Sequence, residues 1–269
     1  MKRIIILFAI GAAMIGCNEN KKENENLQAQ DTIIEENVDG SDNSEEESVF
    51  NVAPVEHATM VINWNKEVIY VDPIGGGSAF KGYTKPTMIL VTDIHEDHLN
   101  IETLTQVTTD STQIIVPQAV ADKLPKDIKG VVTVLSNGSI VNKMGFAIEA
   151  IPMYNLRKEA LKFHTKGRGN GYVLEKDGKR VYISGDTEDI PEMRNLKNID
   201  IAFVCMNLPY TMPVDAAASA VLEFQPKTVY PYHYRGTEGL SDIDKFKSLV
   251  EAGNKDIKVT QLDWYPNQK

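Results

Sequence analysis

The apolar run Met88 to Val91 ends abruptly in Thr92-Asp93-Ile94-His95-Glu96-Asp97-His98-Leu99, which sets four potential metal ligands, Asp93, His95, Asp97 and His98, within six residues. This is the reading of a strand that empties into a site. Alternation in an extended segment carries Asp93, His95 and Asp97 to one side, and a turn starting near Asp97 can bring His98 to the same centre. Imidazole nitrogens mixed with carboxylate oxygens suit Zn(II) or a similar first-row ion. A solvated polar loop would account for a lone His-x-x-His. Here matching acidic and histidine positions recur downstream, in Ser184-Gly185-Asp186-Thr187 and in Pro231-Tyr232-His233-Tyr234.

At the start of the chain, Lys2 and Arg3 precede an apolar run from Ile4 to Ala13 that is too short to span a bilayer permanently, so residues 1–17 read as a signal peptide. Its end, Met14-Ile15-Gly16-Cys17, resembles a bacterial lipobox. Cys17 is then the lipidated first residue of the mature protein, and the expected location is the cell envelope, anchored to the membrane. Residues 18–48 hold eleven Asp and Glu against Lys21 and Lys22, with few large apolar side chains, and read as a disordered acidic tether. That tether carries −9 of the chain's −10; with +2 from Lys2 and Arg3, residues 49–269 keep only −3. The acidic balance therefore says little about a substrate, and it argues against nucleic acid, which calls for a basic footprint.

Residues 49–269 suffice for one core and show no internal linker. Strands are expected over 58–64, 68–71, 88–92, 113–116, 131–135, 146–151, 201–206, 228–232 and 257–262. Helices are expected over 101–107, 118–124, 214–224 and 242–252. Asp177-Gly178 marks a type I′ hairpin between Gly171–Glu175 and Arg180–Ser184. Strands covered by helices give an α/β layered domain. Gly75-Gly76-Gly77-Ser78 lacks the ending of a phosphate loop and reads as a mobile loop at the mouth of the site. Cys205, inside the apolar run 201–206, reads as a buried strand cysteine.

Taken with Val71-Asp72-Pro73, these motifs resemble the metallo-β-lactamase superfamily over roughly Phe50 to Trp264. Residues 93–98 match its His-x-His-x-Asp-His signature with Asp93 where the first histidine usually stands. The order and spacing look like the branch that contains the L-ascorbate-6-phosphate lactonase. The resemblance implies a four-layer αββα sandwich with ligands on loops along one edge of two sheets. It implies one metal on Asp97, His98 and His233, with Asp186 as a bridging carboxylate. A second would take Asp93, His95, Asp186 and a residue after Ile151-Pro152-Met153-Tyr154, where the family commonly has histidine and this chain has Asn155. One or two Zn(II) ions are expected, and the oxygen-richer second site makes Mn(II) or Mg(II) plausible there.

Such a centre lowers the pKa of water to about 7, so no serine or cysteine nucleophile is needed and hydrolysis follows. Asp97 and Asp186 are expected to serve the chemistry as well as the metal, and Tyr232, Tyr234 and Arg235 flank His233 as candidate transition-state stabilisers. Asp72 is read as orienting a ligand histidine, and His57 as a satisfied core histidine. Arg157, Lys158, Lys162, Lys166 and Arg168 face only Glu159 in their stretch, so a small anionic substrate is expected. Arg168 would offer it a planar fork, while His164 would either donate to the leaving group or supply the nitrogen missing at Asn155. The other reading is a metal- or ligand-binding surface lipoprotein in which Asp93 and Asn155 have abolished turnover. The oligomeric state is not legible.

Overall fold

The structure, a computed structural model, describes residues 49–266. The signal peptide, the lipidation site Cys17 and the tether lie outside the described residues.

An antiparallel meander opens the domain: β1 (Phe50–Glu56), β2 (Thr59–Trp64) and β3 (Glu67–Val71). β4 (Met88–Leu90), β5 (Gln113–Val116) and β6 (Val131–Val134) then add in parallel, crossing over through α1 (Ile101–Val107) and the single turn α2 (Gln118–Ala121), to complete a six-stranded sheet in chain order. Residue alternation sorts its two faces. Ile69, Val71, Met88, Leu90 and Ile115 pack into the core shared with the second sheet, while Tyr70, Ile89, Val91, Ile114 and Val116 pack with Leu104, Val107 and Val120 on the helical side. α1 starts where it does because Asn100 caps it, its side-chain oxygen accepting from Thr103 N at 2.8 Å.

The second sheet takes β7 (Ile140–Lys143), β8 (Phe146–Met153), β9 (Gly169–Lys176) and β10 (Lys179–Ile183) as antiparallel neighbours. After the one-turn α3 (Pro191–Arg194), β11 (Ile201–Cys205) joins in parallel. α4 (Val214–Phe224) leads on to β12 (Thr228–Tyr232). A small ribbon, β13 (Arg235–Gly236) with β14 (Gly239–Leu240), precedes α5 (Ile243–Gly253), and β15 (Lys258–Val259) closes the seven-stranded edge beside β12. Ala217, Val221, Phe224, Phe246 and Val250 of α4 and α5 belong to the same core as this sheet. The result is the expected α/β sandwich of two sheets with helices outside.

Several expectations shift. β1 and β7 carry no clear strand pattern in the sequence, since Pro54 interrupts the first and both are sheet edges that bury little. The closing strand is two residues, not six. The glycine segment is no open loop at a site mouth: Gly77–Phe80 forms a 3₁₀ turn held on α1, where Gly76 N donates to Thr103 Oγ1 at 2.8 Å and Gly77 N donates to Gln106 Oε1.

Candidate metal centre

Parallel strands deliver the site. β4 ends into 92–99, β10 into Ser184-Gly185-Asp186, and β12 into His233. The antiparallel neighbours of these strands place the β1–β2 turn and the loop between β8 and β9 at the same ends. Three non-glycine residues there, His57, Asp72 and His233, hold positive φ of 51°, 44° and 45°. Strain of this kind persists only where surrounding contacts enforce it.

Asp186 is the hub, buried, with His98 Nε2 at 3.3 Å and His164 Nε2 at 3.2 Å from Oδ2, and His233 Nε2 at 3.3 Å from Oδ1. Two of the three rings, His98 and His164, are oriented from behind. His98 Nδ1 meets Asp72 Oδ2 at 2.8 Å, and Asp72 is itself fixed by Thr92 N and Thr92 Oγ1, both at 2.7 Å. His164 Nδ1 donates to Tyr210 O at 3.1 Å. Asn207 Nδ2 sits 3.3 Å from His233 Nε2, and its orientation is set by Thr211, whose hydroxyl donates to Asn207 Oδ1. The contacts at Nδ1 turn the Nε2 atoms of His98 and His164 toward the carboxylate, whereas His233 Nδ1 is buried without a hydrogen-bond partner. His98 Nε2, His164 Nε2 and Asp186 Oδ1 are buried without hydrogen-bond partners. Converging orphaned acceptors are costly unless a cation binds between them, so the donor set fits a divalent metal.

Two clusters emerge whose ligand atoms lie within 4.8 Å of one another, Asp93–His95–His164 and His98–Asp186–His233. Asp97 joins the second, its Oδ2 3.4 Å from His233 Nε2. A third grouping, His57–Asp97–His233, shares two of those residues. Burial opposes ionisation of Asp186, yet His233 and His98 hold its carboxyl well below the usual range; Asp97 is lowered likewise, by His98 and His233 against the pull of burial. Burial would lower the His98 imidazole, but Asp186, Asp72 and Asp97 raise it well above its ordinary value.

The sequence-predicted residues fall into place unevenly. Asp93, His95, Asp97, His98, Asp186 and His233 come together, and Asp72 stands behind His98. Asn155 does not present its amide nitrogen to the centre: that nitrogen donates to Ala160 O at 2.9 Å and Tyr210 O at 2.7 Å, while Asn155 N donates to His164 O at 3.0 Å. Asn155 thus braces the loop that brings in His164, and His164 supplies the nitrogen, while the Asn155 side-chain oxygen is buried without a hydrogen-bond partner. Tyr232 is wholly buried with its hydroxyl accepting from Gly185 N at 3.0 Å, so it supports the turn before Asp186 and does not face substrate. Tyr234 is likewise spent, on Leu262 O and Trp264 N.

Three of the five cations of the basic loop are paired with carboxylates. Arg157 pairs with buried Glu188 at 2.7 Å, Lys166 with Glu192 at 2.6 Å, and Arg168 closes its fork on Asp93 through Nε–Oδ1 at 3.0 Å and Nη2–Oδ2 at 2.7 Å. An open guanidinium for an anion is therefore not what Arg168 presents. Cys205 is the buried strand cysteine expected, its thiol pushed up to about 12 by burial and by Asp186.

Beside the clusters lies a cavity of about 420 Å³ lined by His57, Asp97, Phe163, Tyr210, Arg235 and Thr237 among others. His57 is a turn residue at this opening, not a core histidine; burial, His233 and Arg235 lower it to about 4. Arg235 Nη2 approaches His57 Nε2 at 3.1 Å, and its guanidinium lies 5.7 Å from the Tyr265 ring centroid. His57, Asn207, Tyr210 and Thr237 carry no motif that would have marked them in the sequence; only the folding of three loops to one edge assembles them.

The family described as "Beta-lactamase superfamily domain" matches residues 51–233. A UPF0173 metal-dependent hydrolase of Pyrococcus abyssi is 29% identical over 206 residues, covering 72% of this chain and 89% of that protein. One from Pyrobaculum islandicum is 31% identical over 179 residues, covering 65% of this chain and 77% of that protein. A crystal structure described as a metal-dependent hydrolase from Parabacteroides distasonis is 38% identical, with a TM-score of 0.70 over 79% of this chain and 92% of that one. Igni18, a metallo hydrolase from Ignicoccus hospitalis, has a TM-score of 0.66 over 80% of this chain and 95% of that one; at 21% identity it speaks for the fold alone. With its ligand-bearing strand ends, its buried orphaned donors and these relatives, the chain belongs to the metallo-β-lactamase superfamily, among its UPF0173 metal-dependent hydrolases.

Proposed function

We propose that this hydrolase acts on a small anionic substrate, a phosphoester, a lactone or a related ester or amide, from a position at the cell envelope where Cys17 anchors it. The observation that carries the substrate class is Arg235, the one Lys or Arg among the described residues that line the cavity beside the metal clusters. The ring of Tyr265 and His57 position its guanidinium, and a planar fork so held matches a carboxylate or phosphate.

His98, His233, Asp97 and Asp186 would hold one ion and Asp93, His95, His164 and Asp186 another, and with two imidazoles in each set Zn(II) suits both. When bound, such ions supply Lewis acidity toward water and toward a carbonyl or phosphoryl oxygen. Asp97, the carboxylate of the centre most open to the cavity and kept ionised by His98 and His233, is placed to accept a proton from water at its outer oxygen. Asn207 turns its amide nitrogen toward His233 and the cavity and can donate to developing negative charge. Phe163 and Tyr210, edge to face at 5.0 Å, form an apolar wall that restricts water.

Turnover of phosphodiester, lactone and amide reporters by the Zn(II)- or Mn(II)-loaded full chain tests the reaction. Arg235→Ala is expected to raise KM for an anionic reporter about tenfold or more, with a neutral analogue of the same scissile bond changed far less. Equal losses on both, or no loss on either, would remove Arg235 and the anionic class from the reading.

A further inference from the structure

We propose that Arg168 is a fixed cation built into the metal centre: it cancels the charge of Asp93, so the Asp93–His95–His164 cluster takes a divalent ion after, and more weakly than, the His98–Asp186–His233 cluster. This rests on the metal-dependent reading of the site and sets an order within it.

The guanidinium is seated by three contacts, the two bonds to Asp93 at 3.0 and 2.7 Å and one from Nη2 to Phe163 O at 2.6 Å. Nη2 also lies 3.4 Å from His95 Nε2, so the positive charge stands at the cluster itself. Its backbone is held as firmly. Arg168 N donates to Thr165 O at 3.2 Å, and the next residue, Gly169, lies so close to the segment leaving β4 that a Cβ there would come 2.7 Å from Thr92 O. A glycine thus docks the start of β9 against the residue before Asp93, which brings Arg168 to that carboxylate.

Asp93 is wholly buried and the Arg168 side chain is only 18% exposed, so the pair is poorly screened. Asp93 Oδ2, the oxygen that faces the two histidines, accepts from Arg168 and also lies 2.9 Å from His95 Nδ1; a metal there would displace the second contact and meet a carboxylate already neutralised by the first. The other cluster is arranged oppositely. Asp186, Asp97 and Asp72 stand together around His98 and His233, and their ion-pair partners are all histidines, with no Lys or Arg at ion-pair distance among the described residues. One half of the centre therefore sets Asp97 and Asp72 beside the shared Asp186, whereas Asp93, the carboxylate the other half adds to Asp186, is neutralised by Arg168. The sequence position that holds Asp93 in place of a histidine thus does not add negative charge to its half, because Arg168 takes that charge away.

The test is a Zn(II) titration of the full chain after removal of metal with a chelator, read as binding isotherms and as zinc content. In the parent protein the first equivalent is expected to bind at least about tenfold more tightly than the second. Arg168→Met, which keeps length and removes charge, should tighten the second equivalent about tenfold or more and leave the first unchanged, whereas Arg168→Lys should stay near the parent. Should Arg168→Met fail to fold, Arg168→Gln offers Asp93 a neutral donor and carries the same expectation. Two equally tight equivalents in the parent, or a second equivalent that ignores loss of the charge, would overturn the proposal. A parent chain that takes up no zinc would overturn the metal centre itself, and the proposal with it.

Discussion

At His98, the metal and a proton compete for one nitrogen. Its imidazole is raised well above the ordinary value, so in the metal-free chain its contribution is fully present below about 6.5 and is lost as pH rises through the raised value. Asp186 and Asp97 are lowered, so theirs is present above about 3.9 and is lost as pH falls through their folded values. Zinc must displace the His98 proton, so the rise in Tm that Zn(II) produces should grow steadily from about pH 5 to about pH 8. A zinc-induced shift that is flat or largest in acid would contradict this. Asp72→Asn keeps the shape behind His98 but removes the charge that orients it, and should weaken the tighter zinc site about 10- to 100-fold in a competition titration while the chain stays folded. His98→Ala should lose most bound metal altogether.

Among the elements, the β9–β10 hairpin and the turn after it separate two uses of glycine. Gly178, in the Asp177-Gly178 turn, has φ +71° with open space where a methyl group would project, so Gly178→Ala should cost only about 1 kcal/mol and leave zinc content unchanged. Gly185 has φ +61° and is also crowded: a Cβ would lie 2.8 Å from Met153 Sδ and 3.2 Å from Thr92 Cβ. Gly185→Ala should therefore destabilise by roughly 2–4 kcal/mol and lower zinc affinity as well, because Asp186 is the next residue. Chemical denaturation together with zinc analysis distinguishes the two; equal effects at both positions would mean that crowding at Gly185 does not reach the centre. The loop between β8 and β9 is a comparable case, since Asn155 holds both the 160 and 210 carbonyls and loses two hydrogen bonds on truncation. Asn155→Ala should cost about 1–3 kcal/mol and loosen His164 without emptying the His98 cluster.

For the whole molecule, the four-layer order explains why the site is an edge property. Strands β3, β4, β10 and β12 all end on one rim, so side chains from both sheets meet there while the two cores stay apolar. The anchor expected at Cys17 would tether the domain to a membrane. Cys17→Ser is expected to move the protein from the membrane fraction to the soluble one or to block its processing; a variant that fractionates and migrates like the parent would end the lipoprotein reading.

What the sequence by itself determined was whatever depends on neighbours in the chain. Apolar and alternating runs named most strands, the Asp177-Gly178 turn set the hairpin, and the run 93–98 announced a ligand cluster, with Asp186 and His233 marked by their positions after apolar stretches. The tertiary structure decided what depends on which loops meet. His164 rather than Asn155 brings the nitrogen, Tyr232 supports Gly185 from within the core, Arg168 is bound to Asp93 75 residues away, and His57 with Arg235 opens the cavity from turns 178 residues apart. Charge counted along the chain made the 157–168 loop look like an anion reader. Arg157, Lys166 and Arg168 are instead paired with Glu188, Glu192 and Asp93, all remote in sequence; the buried Glu188 and Asp93 are too costly to leave unpaired in a low-dielectric interior, and no local pattern encodes the partner.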